Sequence, residues 1–214
     1  GAAFGEVEYE TFNAATARVV VKGRNIHPGA AKNKMKNASL IAMEFAGLLP
    51  SVERPEHTEG YEGFYHLISM LGSVEEAKLV YIIRDHDAAI FTSRKERMQS
   101  TARWLNEKYG AGTVTVELED SYANMHEQIK PHWHLIETAY EAVKEIGGVP
   151  HSVPVRGGTD GARLSFMGLP CPNLGTGSHN HHSKLEFACA QSMDDCAAVL
   201  VKIAEKYGQK ERTV

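Results

Sequence analysis

The sequence predicts a mixed α/β (α+β) protein in two parts, and three observations lead to this prediction. The chain has 214 residues, of which 43% are hydrophobic and 23% charged, as in globular proteins with a substantial core. In the first half, β-prone runs and amphipathic segments follow one another in the order β-α-β-β-α-β. In the second half, short strands and helices alternate with glycine-rich loops, a pattern that indicates part of an α/β sheet.

The first strand and the first helix are predicted between residues 14 and 49. Ala14 to Val21 is a β-prone run that ends in a turn-prone segment at 22–25. Apolar residues at roughly helical spacing then predict a helix from Asn33 to Leu49, which Pro50 stops.

Three more strands and a second helix complete the first half. The apolar runs Phe64 to Leu71 and Lys78 to Ile83 predict a hairpin. An amphipathic helix from Asp87 to Tyr109 follows and is closed by Gly110. Alternating apolar residues predict a half-buried strand from Thr113 to Glu119. This order of elements is that of a ferredoxin-like unit.

The second half predicts shorter elements separated by loops. A helix is expected from Pro131 to Ile146, a strand through 153–155, a short helix up to Met167 and a last helix from Ser192 to Tyr207. These elements are too few for a complete α/β sheet, so they indicate part of a larger domain.

Three segments follow from these elements. Residues 14–120 are predicted to form the ferredoxin-like domain, 1–13 a remnant or linker, and 121–214 part of the larger domain. The chain opens on Gly1-Ala2-Ala3-Phe4-Gly5 without a methionine, so we expect a piece of a longer protein.

Charge and cysteine content narrow the function classes. With 23 Lys and Arg against 27 Asp and Glu, the net charge of −4 argues against a nucleic-acid partner. The three widely spaced cysteines are typical of a reduced intracellular protein. No secretion signal and no run of about 18 apolar residues occurs, so we expect a cytoplasmic protein without a membrane partner.

Three imidazoles, His179, His181 and His182, stand within four residues. Neutral imidazole is a favoured zinc ligand, which makes this loop a candidate metal site. One short loop rarely supplies all the ligands of a zinc ion, so a polar surface loop is the alternative interpretation.

Arg156, Gly157 and Gly158 form the second candidate site. An arginine beside glycines could hold a carboxylate through two parallel hydrogen bonds while the glycines permit close approach. The alternative is ordinary turn chemistry with an incidental arginine.

Two candidates lie in the first half. His27 follows the first strand in a Pro-Gly loop, where it is either a functional group or a turn histidine. Arg84 ends a strand, and an aspartate after it is expected to cap the next helix. The charged run 94–97 is most simply interpreted as a solvated helix face.

Several of these motifs together resemble a known family. They are GEVEYE at 5–10, NIHPGAAKNKM at 25–35, IRDHD at 83–87, PVRGGTDGA at 154–162 and the histidine loop. They resemble the peptidase T family, the tripeptide aminopeptidase branch of the dizinc aminoacylase and carboxypeptidase clan. The resemblance runs essentially from end to end of the chain.

The resemblance implies a zinc-binding catalytic domain interrupted by a ferredoxin-like lid. Residues 14–120 would be the lid, which in this family joins two subunits into a homodimer. The N-terminal catalytic segment, with most zinc ligands and the general-base glutamate, would precede this chain. The parent would hold two zinc ions, and this chain alone is expected to be inactive.

The resemblance also implies roles for individual residues. His182 would be the retained zinc ligand, because the family places a glutamate four residues later, as Glu186 is here. His179 is the second choice, since the loop departs from the family pattern at four positions.

The remaining roles concern the substrate. His27 would stabilise the tetrahedral oxyanion. Arg156 would pair with the C-terminal carboxylate of the peptide, with Gly157 and Gly158 allowing close approach, and Arg84 is a weaker candidate for the same anion.

The sequence thus predicts a cytoplasmic zinc-dependent enzyme that releases the N-terminal residue of tripeptides. A non-catalytic dimerisation or ligand-binding module is the alternative from another class. Carboxypeptidase or aminoacylase specificity within the clan is the closer alternative.

Overall fold

The computed structural model describes residues 3–210, which divide into two compact units. Residues 12–123 form the sheet unit, and the described residues before 12 and after 123 form the flanking unit. The boundaries predicted after residues 13 and 120 fall within three residues of this division. Residues 1–2 and 211–214, which belong to the predicted segments 1–13 and 121–214, lie outside the described residues.

The strands and helices follow one another along both units. In chain order they are β1 (Val7–Glu8), β2 (Asn13–Lys22), α1 (Ala38–Leu48), β3 (Phe64–Gly72), β4 (Glu76–Asp85), α2 (Ala88–Tyr109), β5 (Val114–Tyr122), α3 (His126–Ile129), α4 (His134–Glu145), α5 (Asp160–Phe166), β6 (Asn173–Leu174), β7 (Ser178–His179), β8 (Phe187–Ala188) and α6 (Ala190–Lys210).

The sheet unit is built on one four-stranded antiparallel sheet in the order β3-β4-β2-β5. Along β4 the buried side chains alternate with more exposed ones, so one face of the sheet is turned to the core. Helices α1 and α2 contribute to the same core, with Phe45 and Leu105 fully buried in it. The predicted ferredoxin-like order and the mixed fold class are confirmed.

Capping side chains determine where the two long helices of the sheet unit begin. Asp87 accepts hydrogen bonds from two backbone N–H groups in the first turn of α2, and Gly110 ends that helix at φ 102°. Helix α1 begins at Ala38 and not at Asn33, because Asn37 caps it by accepting from the N–H of Leu40. The predicted start of this helix was therefore wrong by five residues.

The flanking unit has much shorter strands. β1 pairs antiparallel with β6, and on its other side single parallel bridges join Glu6 to His151 and Thr11 to Val155. The predicted strand through 153–155 is therefore reduced to one bridge. Pro154 explains this, because proline has no N–H to donate to a strand ladder.

The helices of the flanking unit surround two small hydrophobic clusters. The helix predicted from Pro131 to Ile146 is a 3-10 turn at 130–132, with Pro131 as its second residue, followed by α4, and the short helix α3 precedes both. One cluster includes Val7 and Ile136, and the other includes Val143 and Val199. Within residues 3–210, no helix is both long enough and apolar enough to span a membrane.

Candidate functional site

His27 lies in the loop between β2 and α1, where it caps a short 3-10 turn. Its Nδ1 accepts a hydrogen bond from the backbone N–H of Gly29 at 3.2 Å. Because Nδ1 is the acceptor, the neutral ring carries its proton on Nε2. The ring is exposed, so the Nε2–H group can donate a hydrogen bond to an oxygen atom of a ligand.

The base of this loop is closed by backbone pairing. Arg24 and Lys36 exchange two backbone hydrogen bonds, of 2.8 and 3.0 Å, and the Arg24 Nε donates to the carbonyl of Lys34 at 2.6 Å. Asn33 adopts the left-handed conformation at φ 60°, which asparagine tolerates better than most residues. The loop that carries His27 is thus held at both ends.

Arg84 is held against the sheet by the protein's own groups. Its Nη1 donates to the carbonyl oxygens of Ala15 at 3.3 Å and Ile83 at 2.9 Å. The guanidinium also lies over the ring of Tyr122, 5.4 Å from its centroid. These contacts favour a structural role, and anion binding by Arg84 stays a weaker prediction.

A buried charge network at the end of β4 was missed by the sequence analysis. Arg94 donates from Nε to Asp85 Oδ2 at 2.7 Å and also pairs with Glu53. Only 11% of the Arg94 side chain and 4% of the Asp85 side chain are exposed, so the interpretation of Arg94 as solvated was wrong. Asp85 also accepts from the N–H of Asp87 at 3.0 Å, which ties the network to the start of α2.

Arg156 directly follows the extended segment that pairs with the N-terminal part of the flanking unit. That segment is fixed by a hydrogen bond from the Val155 N–H to the carbonyl of Glu10 at 3.1 Å. Beside Gly157, a Cβ atom would meet no other atom within 4 Å, so the space next to its backbone is open. Thr159 then caps α5 by accepting from the N–H of Ala162 at 3.2 Å.

Glu8 joins the same region through a chain of polar contacts. In the β1–β6 pair Glu8 lies opposite Asn173, whose Nδ2 donates to Glu8 Oε2 at 3.3 Å and to Thr159 Oγ1 at 3.2 Å. Burial raises the pKa of the Glu8 carboxyl, and the Asn173 hydrogen bond opposes this shift. The structure therefore brings Glu8 together with the residue that ends the Arg156 loop.

The histidine loop is the turn between β7 and β8. His182 is exposed and adopts φ 61°, and its backbone N–H donates to Glu186 Oε2 at 3.1 Å. The other oxygen, Oε1, lies 3.7 Å from His181 Nδ1. The His179 ring instead stacks on Phe187, with 5.1 Å between centroids. Glu186 thus holds the left-handed backbone at His182, a conformation that non-glycine residues rarely adopt.

The three imidazoles do not form a metal site by themselves. In the part of the chain that the structure describes, no group of three or more His, Cys, Asp or Glu side chains could hold a metal ion. A zinc ion needs three or four protein ligands, so the described residues do not fit a complete zinc site.

The predicted site residues are divided between the units. His27 and Arg84 lie in the sheet unit, whereas Arg156, Gly157, Gly158 and His182 lie in two loops of the flanking unit. Glu8, Asn173 and Glu186 were assigned no contact from the sequence. A local signal existed for Glu8, since Glu6 and Glu8 alternate with Val7, as in a strand with one buried face.

Comparison with known proteins finds relatives over nearly the whole chain. The family described as the peptidase dimerisation domain matches residues 9–113. The chain is 56% identical to Peptidase T of Caldanaerobacter subterraneus subsp. tengcongensis and 52% identical to Peptidase T of Geobacillus kaustophilus. Both matches cover 98% of this chain and 51% of the relative, so the chain spans about half the length of the curated relatives it matches. The resemblance stated from the sequence is confirmed.

Solved structures share the fold. The aminopeptidase PepT from Bacillus cereus matches with a TM-score of 0.77 at 20% identity, covering 94% of this chain and 53% of that chain. A tripeptidase from Staphylococcus aureus matches with a TM-score of 0.81 at 19% identity, covering 95% and 54%. At these identities the likeness concerns the fold alone, and it agrees with the predicted fold class.

Proposed function

Because residues 9–113 of this chain match the peptidase dimerisation domain family, we propose that the chain is part of a zinc-dependent tripeptide aminopeptidase. The observation that carries this proposal is the 56% identity to a Peptidase T over 98% of the chain. Residues 14–120 would be the lid, and residues 121–214 the C-terminal part of the catalytic domain. The activity of the whole enzyme would be release of the N-terminal residue from short peptides.

His27 would stabilise the oxyanion that forms when the peptide bond is attacked. The support is its geometry, since Nδ1 is occupied by the Gly29 N–H and the exposed Nε2–H can donate to a developing negative charge. The closed loop base between Arg24 and Lys36 would limit the movement of this donor.

Arg156 would pair with the C-terminal carboxylate of the substrate. A guanidinium can make two parallel hydrogen bonds to a carboxylate, and the open space beside Gly157 would let the peptide backbone approach. Gly158 would contribute to the same approach. Arg84 remains a weaker candidate, because its Nη1 already donates to two carbonyl oxygens.

His182 would be the zinc ligand that this chain contributes. Glu186, four residues later, fixes its loop conformation by accepting from the His182 backbone N–H, and hydrogen bonds beside a metal ligand commonly help to orient it. Since the described residues form no complete metal site, the other ligands and the general base would come from the half of the relatives' length that this chain does not match.

The enzyme would act as a homodimer through the sheet unit. Its two edge strands differ in character, because β3 exposes Ile68 and Leu71, whereas β5 exposes Glu117 and Glu119. Self-pairing of β5 would place like charges together, so the β3 edge is the better surface for a second copy. A cytoplasmic location is proposed as well, and the three free cysteines are consistent with it.

The test uses the full-length protein that contains this chain and its Arg156→Ala variant. The wild type should release the N-terminal residue of trialanine, and chelation should abolish this activity. We expect kcat/KM on trialanine to fall about 10- to 100-fold in the variant, because a hydrogen-bonded charge contributes about 1.5–3 kcal/mol. On C-terminally amidated trialanine the wild type and the variant should be similar.

A matched control is Arg163→Ala, which removes an exposed arginine of α5 in the same unit. This control should keep the wild-type preference for the free carboxylate. Equal losses on free and amidated peptide in Arg156→Ala would disprove the role of Arg156. A wild-type enzyme that releases the C-terminal residue, or cleaves no tripeptide, would disprove the proposed activity.

A further inference from the structure

We propose that Glu8 binds the α-ammonium group of the peptide substrate, at the edge of the flanking unit that also carries Arg156. The inference rests on the proposed peptidase function, and it adds the group that recognises the free N-terminus. An aminopeptidase must distinguish an N-terminal ammonium from a blocked terminus, and a carboxylate is the side chain that pairs with it.

The backbone pairing brings Glu8 and Arg156 to one edge. The segment around β1 and the segment at 151–155 run parallel, as the bridge between Thr11 and Val155 demonstrates. Ligands of α/β proteins bind outside the carboxyl ends of parallel strands. Arg156 comes immediately after this bridge, and Glu8 lies three residues before it on the neighbouring segment.

The Glu8 side chain is oriented but keeps acceptor capacity. Val7 beside it is fully buried, so Glu8 projects from the opposite face of the strand. Its Oε2 accepts from Asn173, and Asn173 is itself fixed by Thr159. Within residues 3–210, no hydrogen bond uses Glu8 Oε1, which leaves this oxygen for a donor on a ligand.

The charge balance around Glu8 favours a cation. Burial of the carboxylate disfavours its charged form, and the nearby Glu6 carboxylate acts in the same direction. No lysine or arginine in the described ranges forms an ion pair with Glu8. The Asn173 hydrogen bond and the charge of His181 oppose these effects only in part, so a bound ammonium would stabilise the half-buried carboxylate further.

The spacing suits the two ends of a short peptide. Arg156 lies about four residues ahead of Glu8 along the parallel segments, or ~13 Å at ~3.3 Å per residue. An extended tripeptide spans roughly 10 Å between its charged ends, since each residue covers at most ~3.6 Å. The two side chains can close the remaining distance, and a fixed separation would favour peptides of this length.

The experiment measures binding, so that it does not depend on turnover. Full-length wild type and Glu8→Gln are treated with EDTA, and the Kd values of trialanine and of propionyl-Ala-Ala, which lacks the α-amino group, are measured by calorimetry. We expect Glu8→Gln to weaken trialanine binding about tenfold and to leave propionyl-Ala-Ala binding unchanged. The preference for the ammonium, measured as the ratio of the propionyl-Ala-Ala Kd to the trialanine Kd, should therefore fall about tenfold.

Two further variants separate binding from folding. Glu10→Gln removes another carboxylate of the same segment, and it should keep the wild-type preference. Glu8→Asp keeps the charge, so it should retain more of the preference than Glu8→Gln even if both variants are less stable.

An unchanged preference in Glu8→Gln, or equal losses for both peptides, would overturn the assignment of Glu8. The turnover assay on wild type decides the proposed function separately. Absence of trialanine hydrolysis together with a preference that depends on Glu8 would disprove the activity and support the ammonium site.

Discussion

The sheet unit and the flanking unit bury their apolar side chains in different ways. The sheet unit comes from one continuous stretch of chain, has strands of nine or ten residues and forms one large hydrophobic cluster. The flanking unit comes from two separate stretches, has strands of two residues and forms two small clusters. The first is therefore a scaffold with one continuous core, whereas the second devotes much of its chain to loops that carry proposed ligands.

The largest expected effect concerns the buried ion pair of the sheet unit. Asp85→Ala removes the partner of Arg94 and leaves a guanidinium that is 11% exposed without its main counter-charge. We expect the free energy of unfolding to fall by about 3–5 kcal/mol, because the remaining partner Glu53, with 36% of its side chain exposed, compensates the buried guanidinium only in part. Urea unfolding followed by Trp104 fluorescence, in a Trp133→Phe background, reports on the sheet unit.

Asp120→Ala is the matched control for this change. It removes the partner of Lys95 in the same unit, but the Asp120 side chain is 62% exposed. Exposed pairs contribute little, so this variant should unfold at nearly the wild-type urea concentration. Similar losses in the two variants would contradict the contrast between a buried and a surface pair.

A smaller effect compares the two cores directly. Ile83 in the sheet unit and Ile136 in the flanking unit are 0% and 1% exposed, so the same truncation removes the same buried atoms. We expect Ile83→Ala to cost about 4 kcal/mol and Ile136→Ala about 2 kcal/mol, because a small cluster collapses more easily around the cavity. Trp104 and Trp133, one in each unit, follow the two transitions separately. Equal costs would indicate that the two cores are packed equally tightly.

The fold of the sheet unit could be predicted because its signals are local. Alternating or helical apolar patterns, the Asp87 cap and the Gly110 stop all lie within the elements that they define. The start of α1 was misplaced because the periodic pattern continues through residues 33–37, where the backbone instead pairs with Arg24. In the flanking unit, β1 and β6 are only two residues long, so no alternating pattern marks these strands in the sequence.

The candidate site could be predicted in part for the same reason. His27, Arg156 and His182 stand in short motifs with recognisable chemistry, and their roles stay predictions. The Glu8–Asn173 contact joins residues 165 positions apart, so no spacing rule could reveal it. The burial of Arg94 was missed because it depends on Asp85 and Glu53, which lie on other elements.

The smallest expected effect compares the caps of one helix in each unit. Asp87 accepts from two backbone N–H groups at the start of α2, both at 2.8 Å, and its negative charge faces the positive end of the helix dipole. Thr159 accepts from one N–H of the seven-residue helix α5 at 3.2 Å. We therefore expect Asp87→Ala to cost about 1–2 kcal/mol and Thr159→Ala about 0.5–1 kcal/mol.

The two cap variants should also differ in their effect on peptide binding, which is compared with the local loss of helix stability measured by hydrogen exchange. Asp87→Ala should speed exchange mainly in the first turn of α2, since the Asp87 carboxylate accepts its hydrogen bonds from the backbone of that turn. Thr159→Ala should also weaken trialanine binding, because Thr159 fixes Asn173 and Asn173 orients Glu8. A Thr159→Ala variant with faster exchange in α5 but unchanged trialanine binding would limit this residue to its capping role. Both caps would then act on helix stability alone, and the cap of α5 would have no part in ligand binding.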